Sequence, residues 1–130
     1  MSFGAKTYKQ TSIKTATPEQ VLLMLYEAAI KSSKLAIQAI EKSSLAEKGK
    51  HIGKVHDIVM ELRNSLDHKT SPQLAEQLDA LYEFMISQLL KANMNNDPKP
   101  LENVSKVLGT LYEGWVVAVD EFRKKARGQK

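Results

Sequence analysis

His51, His56 and His68 are the residues best suited to hold a metal, since the chain has no cysteine. Metal sites inside helical bundles commonly use Glu-x-x-His pairs on facing helices. Here the residues three before the histidines are Lys48, Gly53 and Ser65, so that spacing is absent. All three lie within or at the end of one helical pattern, where they cannot converge with ligands from elsewhere, and they read as solvated surface. Glu76, Asp79 and Glu83 are the best candidates for acid–base work, which needs a cleft that drives two carboxyl pKa values apart. They share the polar side of an amphipathic segment instead. Neither G-x-x-x-x-G-K-[ST] nor G-x-G-x-x-G occurs, and no serine sits on a strained elbow beside a base. The expectation is a protein that is not an enzyme, with no catalytic residue, metal or cofactor.

The elements carrying these residues are helices. Thr17-Pro18-Glu19-Gln20 reads as a helix start, with Thr17 at the N-cap, proline at the first helical position and Gln20 closing a capping box. That helix runs to about Lys42. Ser44-Leu45-Ala46-Glu47 is a second box opening a helix to about His68. Ser71-Pro72 starts a third, to about Met94, and Asn95-Asn96-Asp97-Pro98 turns into a fourth that reaches about Ala126, with Gly128 past its end. Apolar residues recur every three or four positions, as in Ile52, Val55, Val59, Leu62 and Leu66, and again in Leu101, Val104, Leu108, Leu111, Trp115, Ala118 and Phe122. No segment alternates with period two. Four long helices with short connections predict an all-α, antiparallel up-and-down four-helix bundle over residues 17–127. Residues 1–16 form a flexible N-terminal arm in this reading, and 128–130 a C-terminal tail.

A chain of 130 residues fits one domain that can fold on a single core. Without cysteines it suits a reducing cytoplasm. The longest apolar run, Val21 to Tyr26, is far short of a bilayer span and is placed unlike a secretory signal. Neither export nor direct membrane insertion is expected. The formal net charge is +4, with Lys6, Lys9 and Lys14 before the first acid and Arg123, Lys124, Lys125, Arg127 and Lys130 after the last. Such ends either keep the protein soluble or track a nucleic-acid backbone or an acidic protein. A basic helical nucleic-acid-binding protein is therefore the alternative class, separable by its steep salt dependence.

Two features sit awkwardly in a plain bundle. The arm carries Phe3, Tyr8 and Ile13, although free tails are usually poor in large apolar groups. The third helix has an apolar arc of roughly 180°, from Leu81 and Leu74 round to Ile86 and Leu90, where a core-facing stripe needs somewhat over 100°. Val21-Leu22-Leu23-Met24-Leu25-Tyr26 makes the first helix apolar all round. Either these helices sit centrally, or part of their surface awaits a partner.

The stretch from Leu81 to Asp97, with Leu81-Tyr82, Met85, Leu89-Leu90, Ala92-Asn93 and Asn96-Asp97, closely resembles the third-helix signature of the FliS family, the flagellin-specific chaperones of flagellar type III export. Tyr8, Thr15 to Gln20, Leu23 to Glu27, Ile58 to Asp67 and Trp115 follow the family's order and spacing, so the resemblance spans about Tyr8 to Trp115. Phe84 stands where a tyrosine is common, and Gly109 and Gly114 interrupt the fourth helix. The resemblance implies an antiparallel bundle whose outer grooves receive the disordered C-terminal segment of flagellin. Holding that segment prevents premature polymerisation, and handover follows at the export-gate protein of the secretion apparatus. The implied contact set is Tyr8, Ile13, Tyr26, Leu62, Leu66, Tyr82, Met85, Leu89, Asn93 and Trp115. Leu62, Leu66, Leu89 and Trp115 also lie on core-compatible stripes. The arm would cover part of the groove until the client arrives, and apolar surface left bare would permit a weak homodimer.

Overall fold

A computed structural model describes residues 16–128. Tyr8, Ile13 and the other arm residues up to 15 lie outside the described residues. The described residues form four helices: α1 Pro18–Glu41, α2 Leu45–Asn64, α3 Pro72–Asn95 and α4 Lys99–Ala126. The first start forms as its residues require. Thr17 Oγ1 accepts the Gln20 N–H at 3.3 Å, and the Gln20 side chain accepts the Thr17 N–H at 2.9 Å. Replacing an N-cap threonine with alanine typically costs about 1 kcal/mol. Thr17→Ala should therefore lower the urea midpoint with the slope unchanged, which separates a lost cap from a changed unfolded state.

The second start differs from expectation. Ser44 precedes α2, but its side chain makes no capping bond. The α2 helix also stops at Asn64, four residues before the expected end. Local hydrogen bonds compete with the helix there. Ser65 Oγ donates to the Leu62 carbonyl, and Asp67 Oδ1 accepts the N–H groups of Lys69 and Thr70. Those bonds hold the Asp67 carboxyl below the usual carboxylate range. At the last start Asp97 Oδ1 accepts the Lys99 N–H, while Asn96, in the left-handed region at φ 50°, ends α3.

Each helix packs against its chain neighbours, and α4 returns to α1, closing a square in which α1 and α3 are diagonal. The short 42–44 connection turns α2 back along α1, and long-range bonds tie the other pairs. Lys48 near the start of α2 reaches Asn93 and Asn96 at the end of α3, and Arg63 at the end of α2 reaches Asp79. Gln88 on α3 accepts from Asn103 on α4, and Tyr112 on α4 donates to Glu27 on α1. The bundle is therefore antiparallel throughout. Its α1 wall is built from small residues, Ala29, Ser32, Ser33, Ala36 and Ala39, all buried. Short side chains let the neighbouring helices approach, and Ser33 satisfies its hydroxyl on the Ala29 carbonyl at 2.8 Å. Larger groups from the other walls fill the middle: Val55, Val59, Met85, Leu89, Leu101, Val104 and Leu108.

The square answers the question raised by the apolar arcs. No helix is surrounded by the other three, so an apolar arc wider than one core face must reach the outside. On α3 it does so at its two edges, Leu74 and Leu90, both exposed.

Candidate functional site

At the centre of the bundle Tyr26 and Tyr82 face each other across the diagonal, their hydroxyls 2.5 Å apart and sharing one hydrogen bond. Burial raises both pKa values, most strongly that of Tyr82, because a phenolate would lose its water. The indole N–H of Trp115 lies beside the Tyr26 oxygen, near enough to ease that effect slightly. It falls outside hydrogen-bond geometry, so the N–H is buried without a full partner. This polar knot belongs to the core: Tyr26 is fully buried and Tyr82 is 2% exposed.

Of the residues implied as contacts, Tyr26, Leu62, Tyr82, Met85 and Leu89 are all buried. In this conformation Tyr26 and Met85 are core residues, not surface offered to a partner. Leu62, Leu66, Tyr82 and Trp115 come together instead around a pocket of about 220 Å³ at the end of the bundle where α2 turns into α3, closed by Leu22 of α1 and by Leu74 and Leu78 of α3. Leu66 and Trp115 are half-buried there.

The larger opening lies between α2 and α3 towards the other end. It is a groove of about 370 Å³ with Ile86, Leu89, Leu90 and Asn93 on one wall and Gly49, Ile52, Gly53 and His56 on the other. Leu89 forms part of its floor, and Asn93 is exposed at its edge. The two walls are unlike. The α3 wall presents large side chains, with Leu90 59% exposed; Met94, one position beyond Asn93 and outside the lining itself, is 70% exposed. The α2 wall is bare, since a Cβ built on Gly49 or Gly53 would meet nothing within 4 Å. A glycine inside a helix costs about 1 kcal/mol against alanine. Packing within the chain does not require either one, and they lie four apart, on one side of the helix. Contact reasoning from sequence missed Gly49, Gly53, Leu90 and Met94. Leu90 belongs to the wide arc of α3, which was the available signal, and Met94 lies just past its edge; the glycines carry no signal until their open side is seen.

Between groove and pocket, Arg63 Nε lies 2.7 Å from Asp79 Oδ1, with Glu83 at 3.8 Å from the guanidinium, pinning α2 to α3. Asp79 and Glu83 are thereby structural partners of an arginine. Among the described residues no group of three or more histidine, aspartate or glutamate side chains is placed to hold a metal ion. None of the described helices is long and apolar enough to cross a membrane.

The family model for the flagellar protein FliS matches residues 1–121. The chain belongs to the FliS family. It is 33% identical over 121 residues to the flagellar secretion chaperone FliS of Bacillus subtilis strain 168, covering 93% of this chain and 90% of that one. Against the flagellar secretion chaperone FliSB of Pseudomonas aeruginosa it is 37% identical over 114 residues, covering 85% and 90%. A crystal structure of a bacterial flagellar chaperone shares the fold with a TM-score of 0.75 at 21% identity, over 91% of this chain and 96% of that one. FliS proteins are flagellar secretion chaperones, which is not an enzyme class. The exposed α3 arc and the half-bare groove are thus features of a chaperone's surface.

Proposed function

We propose that the chain binds the disordered C-terminal segment of flagellin in the cytoplasm, keeps it from polymerising, and delivers it to the export gate of the flagellar type III apparatus. The observation that carries this reading is the outward arc of α3. A chaperone for export substrates needs apolar surface that its own core does not use, and Leu74 and Leu90 at the edges of the arc, with Met94 just beyond Leu90, supply it. The mode is helix-in-groove recognition, with the apolar stripe of a client helix laid against the α3 wall.

Magnitudes decide how much of the surface must be engaged. Ordering a disordered client costs on the order of 2 to 5 kcal/mol. Full burial of a leucine or methionine returns roughly 1.5 to 3 kcal/mol, and side chains already partly covered return less. Covering Leu90 and Met94 alone would barely offset the ordering. The client must also engage the pocket at the other end of α3, where Leu66, Leu74 and Trp115 gather. From Leu74 to Leu90 is about 24 Å along the helix, spanned by a client helix of about 16 residues at ~1.5 Å per residue. The client's route over both sites gives Leu62, Leu66, Tyr82, Leu89, Asn93 and Trp115 a place as floor or edge of the contact.

Calorimetry with the C-terminal flagellin segment of the same organism tests this. One-to-one binding is expected, with enthalpy falling as temperature rises, because apolar burial gives a negative heat-capacity change. Affinity should respond weakly to salt. No heat with full-length flagellin, together with salt-sensitive binding of random duplex DNA, would reverse the assignment.

A further inference from the structure

Lys48 is 8% exposed and stands in the first turn of α2. Burying an ammonium is unfavourable unless it is paired, yet among the described residues no carboxylate pairs with it. Its Nζ donates instead to the Asn93 carbonyl at 3.0 Å and to the side-chain oxygen of Asn96. Both acceptors belong to the end of α3. The Asn93 carbonyl is among the last four, which a helix leaves without an internal partner, and the negative end of the helix dipole favours a cation there. One residue thus faces two ways: the Asn93 backbone oxygen is held by Lys48, while Asn93 also lines the groove, where its neighbours on α3 are Ile86, Leu89 and Leu90.

We propose that Lys48 is a positioning residue of the client groove: by holding the Asn93 carbonyl and the Asn96 side chain, it fixes the last turn of α3 and so sets where the Asn93 amide, Leu90 and Met94 meet a bound helix. The inference rests on the client-binding reading above and deepens it. Methionine at position 48 would keep most of the buried stem but provide no donor, leaving the Asn93 carbonyl unsatisfied. The final turn of α3 then frays, and the groove loses the upper part of its apolar wall.

The test is a double-mutant cycle on the full-length chain, titrated with a synthetic C-terminal flagellin segment from the same organism. Lys48→Met is expected to weaken binding about 5- to 10-fold and to speed amide exchange in residues 93–97 while exchange in the rest of α3 is unchanged. Lys48→Arg, which keeps a cation, should recover most of the affinity. Asn96→Gly, which removes the side-chain acceptor that Lys48 holds and suits the left-handed position, should weaken binding about 2- to 5-fold, and adding it to Lys48→Met should change affinity less than about 2-fold further, because the two act through one contact. If Lys48→Met folds poorly, Lys48→Gln takes its place in the cycle. Wild-type affinity in the Lys48 variant, or losses that multiply in the double variant, would overturn the proposal. Absence of binding by the wild-type chain would instead remove the client reading on which it rests, a separate outcome visible before any variant is made.

Discussion

Truncating Met85 to alanine is expected to destabilise the fold by about 2 to 5 kcal/mol, as methionine-to-alanine changes in cores do. Met85 is fully buried at the middle of α3, packed in the central cluster, and has no access to either groove. Binding of client to the fraction that stays folded should change little. Tyr82→Phe is the sharper probe, because it leaves the ring in place and strands the Tyr26 hydroxyl. An unsatisfied buried hydroxyl costs about 1 to 3 kcal/mol, and Tyr82→Phe should lose that much. The same pair predicts a pH response. Both tyrosines have raised pKa values in the folded state. Above pH ~10 the unfolded chain releases these protons while the folded chain retains them, so stability is full below that pH and falls as pH rises further. The slope is up to about 1.4 kcal/mol per pH unit for each tyrosine involved. Chemical denaturation at several pH values between 9 and 12 reads it directly. Tyr82→Phe should flatten the curve; an unchanged curve would mean that the pair does not govern alkaline stability.

The pair also marks where the sequence stops being informative. Tyr26 and Tyr82 each combine an apolar body with a polar tip, which fits a half-buried groove wall. They sit 56 residues apart, and nothing in either local pattern says that their hydroxyls meet. Once they do, each satisfies the other and both can be buried. Periodicity shows which way a side chain points along its helix, not whether another helix stands opposite. Leu108 and Phe122 lie on one stripe of α4, yet Leu108 is fully buried and Phe122 is 58% exposed. The same holds for Leu74, in the first turn of α3, at 48% exposed. Local chemistry was legible where one turn contains both partners, as at Thr17 and Gln20. It misled at Ser44, whose side chain makes no cap, and at α2's end, where Asp67 captures two N–H groups that a longer helix would need. The family signature pointed to α3, the helix on which the proposed contact is built. The width of its apolar arc, beyond any one core face, is the sequence feature that the exposed side chains of Leu74 and Leu90 explain.

Substitutions in the α2–α3 groove should separate binding from stability, and in two directions. Leu90 is 59% exposed, so Leu90→Asp should leave the fold within about 0.5 kcal/mol of wild type, as surface changes usually do. A bound helix would bury the new carboxylate without a partner, which is strongly unfavourable, and affinity for the flagellin segment should fall about 100-fold or more. Gly53→Leu acts from the opposite wall. The position is open, with nothing within 4 Å of a built Cβ, and leucine favours the helix by most of the ~1 kcal/mol that glycine forfeits. The variant should therefore melt higher than wild type while binding client about 100-fold more weakly, because its side chain occupies the groove that the client helix needs. Gly109 on α4 is equally open and lines neither the groove nor the pocket beside Trp115. Gly109→Ala should raise the melting temperature and leave affinity untouched, which shows that helix stiffening is not itself what weakens binding. Opposite movement of stability and affinity at position 53, and not at 109, is the signature of a wall kept bare for a partner's backbone. Wild-type affinity in both Leu90→Asp and Gly53→Leu would place the client elsewhere on the bundle.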